Sequence, residues 1–176
     1  MTEQDNQKVE VSIQIIKQLG WFLLLAAVQV LVLNHIHLFG IAIPLLYIYF
    51  PVTFHRNTPR WAALLWSFVL GLTIDVFSNT PGLAAGSLTL IGLLQPYWLE
   101  LFVPRDSVED MEESAATLGW SKFIVYSVAL TALFCLVFFA LEAFNFFNWV
   151  YWLECAGAST LLTMILVIAI ESVRRQ

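Results

Sequence analysis

Asp75 stands inside "GLTIDVFSNTPGLAAGSLTLIG" (71–92), a stretch otherwise made of apolar, small and turn-forming residues. A carboxylate in such surroundings has three principal uses. It can pair with a second acid for proton transfer, help hold a cation, or accept hydrogen bonds from unpaired backbone N–H groups. The first finds no support, because no second aspartate falls within an apolar run. Nor does a G-x-S-x-G elbow supply a nucleophilic serine with a base beside it, and no enzymatic activity is expected. For the second, His35 and His37 form an H-x-H pair, with Glu142 and Glu154 as the nearest acids in topology. Dispersed acids beside H-x-H lack the ligand spacing of HExxH or paired cysteines, so neither metal nor cofactor is expected. Cys135 and Cys155 lie in or beside apolar runs and read as small packed hydrophobes rather than a redox pair.

The third use fits best. Asn79, Thr80, Pro81 and Gly82 have turn chemistry. A tight hairpin there returns the chain and brings the start of the next helix, with its free N–H groups and positive dipole end, to Asp75. The end of its own helix is the negative pole and a poor neighbour for an anion. Asp75 is therefore expected to fasten a hairpin, with a protein-contact role and a transport or catalytic role as the alternatives. Gly82, Ala85, Gly86 and Gly92 give the following helix a smooth side. Gly82 and Gly86 have the small-xxx-small spacing that lets membrane helices approach closely. Glu100 falls near the far end of that helix and reads as interfacial.

The elements that must carry these residues follow from composition. Of 176 residues, 60% are hydrophobic and 12% charged, against about 25% charged in soluble domains. Long apolar runs separated by short polar stretches identify an integral membrane protein, all-α, folded as one unit over 1–176. The net charge of −5 comes with no block of Lys or Arg, which argues against nucleic-acid binding. The first apolar run is too long for a signal-peptide core and reads as a retained span. Six spans are expected, over 13–33, 36–52, 61–77, 83–102, 122–141 and 147–170. All the basic residues then fall on one side: Lys8, Lys17, Arg56, Arg60, Arg105, Lys122, Arg174 and Arg175. The positive-inside rule places both termini in the cytoplasm and Asp75 in the outer part of its span. Trp61, Trp98, Trp120, Trp149, Tyr151 and Trp152 sit near span ends as interfacial anchors, while Trp66 reads as packing. The loop 103–121 is acidic, with Val108, Met111, Ala115 and Leu118 at helical spacing. It reads as a short amphipathic helix, either a solvated surface or a contact for a cytoplasmic partner.

Gly71-x-x-x-Asp75, a short turn, Gly82 and a small-residue helix together resemble MreD, the rod shape-determining membrane protein family of bacteria. Glu142 in "FFALEAF", late in the fifth span, is also similar to the family, as are length and span count. The acidic stretch 106–113 is longer than the family's usual connection. The resemblance implies a six-helix bundle similar to the substrate-binding subunits of energy-coupling-factor transporters, in the inner membrane. It implies a non-enzymatic scaffold of the cell-elongation machinery that binds MreC and acts in cell shape and peptidoglycan synthesis. Through MreC the implied partners are MreB, RodA and a penicillin-binding transpeptidase, with membrane lipid around the bundle. Gly71, Asp75, Gly82 and Glu142, which carry the resemblance, together with Pro81 of the turn and Gly86 of the small-residue face, are the expected partner-binding or structural positions. The competing reading is a substrate-binding subunit of a vitamin-type transporter. Such subunits couple through Ala-x-x-x-Ala in the first span, where this chain has Ala26 followed by Val30.

Overall fold

The computed structural model describes residues 3–35, 42–54, 58–101, 119–143 and 149–174. Their regular structure is helical: α1 (Glu3–Leu31), α2 (Tyr49–Val52), α3 (Arg60–Ser78), α4 (Leu83–Leu99), α5 (Trp120–Ala143) and α6 (Trp149–Arg174). Short 3-10 turns at Leu33–His35 and Leu46–Ile48 accompany them. Helices α3, α5 and α6 are long and apolar enough to cross a membrane, while α4 and the Ile15–Leu31 part of α1 are shorter apolar helices. Their outward faces carry large hydrophobic side chains, among them Ile16 and Leu23 on α1, Trp61 and Val76 on α3, and Leu161 and Ile165 on α6. A water-soluble bundle turns polar residues outward; this one is apolar on both faces, as lipid requires.

The boundaries of α3 and α4 have local causes. Pro59, extended at φ −61° and ψ 137°, precedes α3, and its carbonyl accepts from the N–H groups of Ala62 and Ala63. At the other end Asn79 takes the left-handed conformation, φ 56°, which asparagine tolerates better than most residues. The N–H of Thr80 then reaches back to the Asp75 carbonyl at 3.1 Å, a Schellman-type closure. Gly82, at φ 88°, makes the second left-handed step and opens α4, so the chain reverses within four residues.

One expected span takes another form. The apolar run 36–52 was expected to be a continuous helix, yet its described part is irregular from Ala42 to Leu45, and only Leu46–Val52 is helical. Pro44 supplies no N–H and restricts the residue before it. The segment is nonetheless the centre of the molecule. Leu45, Leu46, Tyr47, Ile48, Tyr49 and Phe50 are all buried. Tyr47 meets Phe134 of α5 edge-on at 5.5 Å, and Phe50 meets Phe22 of α1 at 6.1 Å. Trp66 of α3 closes on Phe22 at 5.8 Å, the packing role expected of it.

Irregular backbone within an apolar bundle must find hydrogen-bond partners inside the protein. Here side chains from α1 and α6 provide them. Ser159 Oγ accepts from the Ile43 N–H at 3.0 Å, and Thr163 Oγ1 from the Leu45 N–H at 3.0 Å. The Gln29 amide donates to the Pro44 carbonyl at 2.9 Å and accepts from the Leu46 N–H at 3.1 Å. Further along, the Tyr126 hydroxyl donates to the Val52 carbonyl at 3.3 Å and accepts from Gln95 at 3.1 Å. The remaining helices run near their expected limits, except that α1 begins earlier, at Glu3, α4 stops at Leu99 and α6 continues to Arg174. His37 and the expected acidic helix with Val108, Met111, Ala115 and Leu118 lie outside the described residues.

Candidate functional site

Asp75 lies one turn before the end of α3 and is 2% exposed. Its two carboxylate oxygens accept four hydrogen bonds. Thr80 Oγ1 donates to Oδ1 at 3.0 Å, and the Ala84 N–H to the same oxygen at 2.9 Å. The N–H groups of Gly82 and Ala85 donate to Oδ2 at 3.1 and 2.9 Å. Gly82, Ala84 and Ala85 are the cap position and the second and third positions of α4, where backbone donors lack partners within the helix. Asp75 thus performs across a helix pair the task that an N-cap side chain performs locally, with the helix dipole favouring its charge. Its own carbonyl closes α3, so one residue terminates one helix and starts the next.

Gly71 explains how α4 comes within reach. A Cβ placed there would lie 2.5 Å from the Ala85 Cα and 2.6 Å from the Ala84 carbonyl oxygen. These are backbone atoms, so the helices would have to separate. Gly71 and Asp75 are four residues apart and share a face: the glycine brings the first turn of α4 close, and the aspartate ties it down. A second close approach lies further along the pair, where a Cβ on Gly92 would come 2.6 Å from Ser67 Oγ. The expected Gly82–Gly86 spacing does not serve this contact. Gly82 is required by its positive φ, and a Cβ on Gly86 would meet only the Leu141 side chain, at 3.6 Å. Pro81 is exposed in the turn.

The capped hairpin forms one wall of a cavity of about 350 Å³. Thr80, Ser78 and Ala84 face it from the hairpin, Val30 from the end of α1, Asn34 from the 3-10 turn that follows, and Glu142 and Phe138 from the end of α5. Leu45 and Tyr47 of the central segment line it as well. Asn34 ties two of these walls together, donating to Ser78 Oγ at 2.6 Å and accepting from Gln29 at 3.0 Å. Tyr47 is 1% exposed, and its hydroxyl has no hydrogen-bond partner among the described residues. Glu142 is exposed at the rim, and Glu154 is exposed on α6. Of the expected site residues Glu142 lines the cavity, while Asp75 sits behind Thr80 and Ala84, and Gly71, Pro81, Gly82, Gly86 and Glu154 do not line it. Among the described residues no group of three or more His, Cys, Asp or Glu is placed to hold a metal ion. Cys135 and Cys155 are both buried and free.

At the opposite end of the bundle, Glu171 of α6 is buried and accepts from the Tyr49 hydroxyl at 2.8 Å. Arg174 reaches the same hydroxyl at 3.4 Å and lies 5.9 Å from the Trp21 ring centre. Gln29, Asn34, Tyr47 and Glu171 were not singled out from sequence. The lone Gln29 within "LLLAAVQVLVL" was the available signal, since a polar side chain in an apolar run needs an internal partner. No protein-family model, curated protein or solved structure matches the chain.

Proposed function

We propose that the chain is a non-enzymatic membrane scaffold of the bacterial cell-elongation machinery, an MreD-like protein that binds MreC. Its place would be the inner membrane, crossed several times, with both termini cytoplasmic. The observation that carries this reading is the complete internal use of Asp75. Four donors occupy its two oxygens in a buried setting, which suits a device that shapes a rigid hairpin rather than a proton carrier. Gly71 and Gly82 are explained by the same hairpin, so the Gly-x-x-x-Asp element behind the resemblance to MreD has a structural reason. The large apolar side chains turned outward on α1, α3 and α6 offer surface for a partner's membrane helix as well as for lipid. Co-purification of the tagged chain with MreC of the same organism tests the reading. A stoichiometric complex retained in mild detergent is the expected result; absence of MreC, with the chain itself folded, overturns it.

A second reading, the substrate-binding subunit of a small-molecule transporter, is favoured by one observation: the cavity of about 350 Å³ beside the hairpin. Uptake of a bound compound into vesicles containing the chain and an energising partner would decide for it.

A further inference from the structure

Hydrogen-bond directions along the polar side of the cavity are fixed from the backbone outward. Gln29 receives the Leu46 N–H on its carbonyl oxygen, and its amide nitrogen donates to the Pro44 carbonyl and to Asn34 Oδ1. The oxygen of Asn34 therefore faces Gln29, and its nitrogen donates to Ser78 Oγ. Thr73, Ser87, Thr89 and Thr160 return their hydroxyl hydrogens to the carbonyl four residues back. Ser78 does not, and among the described residues its hydrogen has no acceptor. Thr80 is the reverse case: an ionised carboxylate only accepts, so Thr80 donates to Asp75 and keeps only lone pairs to offer. Asn34, Ser78 and Thr80 all line the cavity and are half-buried, within reach of a ligand. They present two donors, the Ser78 O–H and the second Asn34 N–H, beside one acceptor.

Charge is already settled around this strip. Four donors occupy Asp75, Glu142 at the rim has an interaction of its own, and among the described residues no Lys or Arg lines the cavity. An ion entering it would lose hydration without gaining a counter-charge. Val30, Ile43, Leu45, Ile74 and Phe138 make most of the remaining lining apolar. About 350 Å³ lies at the small end of the range for small-molecule sites.

We propose that this cavity binds a small uncharged amphiphile, a primary carboxamide on an apolar body. Its carbonyl accepts from Ser78 and Asn34, and its N–H donates to Thr80. The assignment rests on the lining alone, so its failure leaves the scaffold reading to be judged by co-purification with MreC.

The test is equilibrium binding of radiolabelled hydrocinnamamide to the full chain in a neutral detergent at neutral pH. Hydrocinnamate and phenylpropylamine serve as the anionic and cationic analogues on the same body. Saturable binding of the amide, about tenfold tighter than that of either ion, is expected. Ser78→Ala should weaken the amide about fivefold and leave the amine, which has no acceptor for Ser78, unchanged. Val30→Trp fills the cavity and should abolish saturable binding. Absence of saturable binding, an ion bound as tightly as the amide, or an equal loss for amide and amine in Ser78→Ala would each overturn the assignment. Undiminished amide binding by a folded Val30→Trp chain would overturn it too, by placing the ligand elsewhere.

Discussion

At the scale of the residue, Asp75 shows how an acid becomes tolerable in an apolar bundle. Hydrogen bonds to an ionised group are stronger than neutral ones, and this carboxylate accepts four. Asp75→Ala strands three backbone N–H groups and should cost about 2–4 kcal/mol, read as reversible unfolding in mixed micelles. Asp75→Asn should fall between, because its amide nitrogen would face backbone donors in place of an acceptor. Wild-type stability in Asp75→Ala would show that water replaces the carboxylate and that the hairpin does not depend on it. The glycines separate by mechanism. Gly71→Ala drives a Cβ into the Ala84–Ala85 backbone and should cost about 1–3 kcal/mol. Gly86→Ala meets only a side-chain methyl at 3.6 Å, so helix propensity makes it neutral or stabilising by up to about 1 kcal/mol. If the two substitutions had equal effects, close approach would not be what Gly71 is for. The role of Asp75 was legible in the sequence because every part of it is local: the acid, the turn and the recipient helix lie within eleven residues, 75–85.

At the scale of the element, the contrast is the segment 42–54. An apolar run bounded by polar residues reads the same whether it forms a spanning helix or an irregular buried strip, because periodicity cannot separate the two. What decides is whether distant side chains satisfy its backbone. Ser159 and Thr163 do so across sequence separations of 116 and 118 residues, a relation that no local pattern reveals. Pro44 was the one local warning against a continuous helix. Gln29 makes the argument testable, since it donates to Pro44 and accepts from Leu46 at the same time. Gln29→Leu keeps the bulk and removes both of these bonds, together with the one to Asn34, leaving a buried N–H and a buried carbonyl unpaired. A loss of about 2–3 kcal/mol is expected, with hydrogen exchange at the Leu46 amide accelerating more than at amides within α5. Uniform acceleration across the bundle would instead mean that the segment has no separate stability and opens only with global unfolding.

At the scale of the whole molecule, the distribution of charge and of apolar surface gives the bundle a direction. The turn at Asn79–Gly82, the cavity and Glu142 gather at one end, while Arg60, Lys122 and Arg174 mark the other. In the proposed topology the positive-inside rule assigns the basic end to the cytoplasm, and the short α4 would link the two. With 17 residues it measures about 25 Å, less than the roughly 30 Å of hydrocarbon in a typical bilayer. The residues that flank it, Pro81 and Glu100, must then both sit close to the interfaces, on opposite sides. Both are exposed, whereas the native cysteines are buried, so the wild-type chain supplies a low background for thiol labelling. A membrane-impermeant maleimide applied to intact spheroplasts should modify Pro81→Cys and spare Glu100→Cys until the membrane is permeabilised. Reversed labelling would invert the topology and place the cavity in the cytoplasm. Labelling of both positions from outside would deny that α4 crosses, and the even span count on which the cytoplasmic termini depend would fall with it.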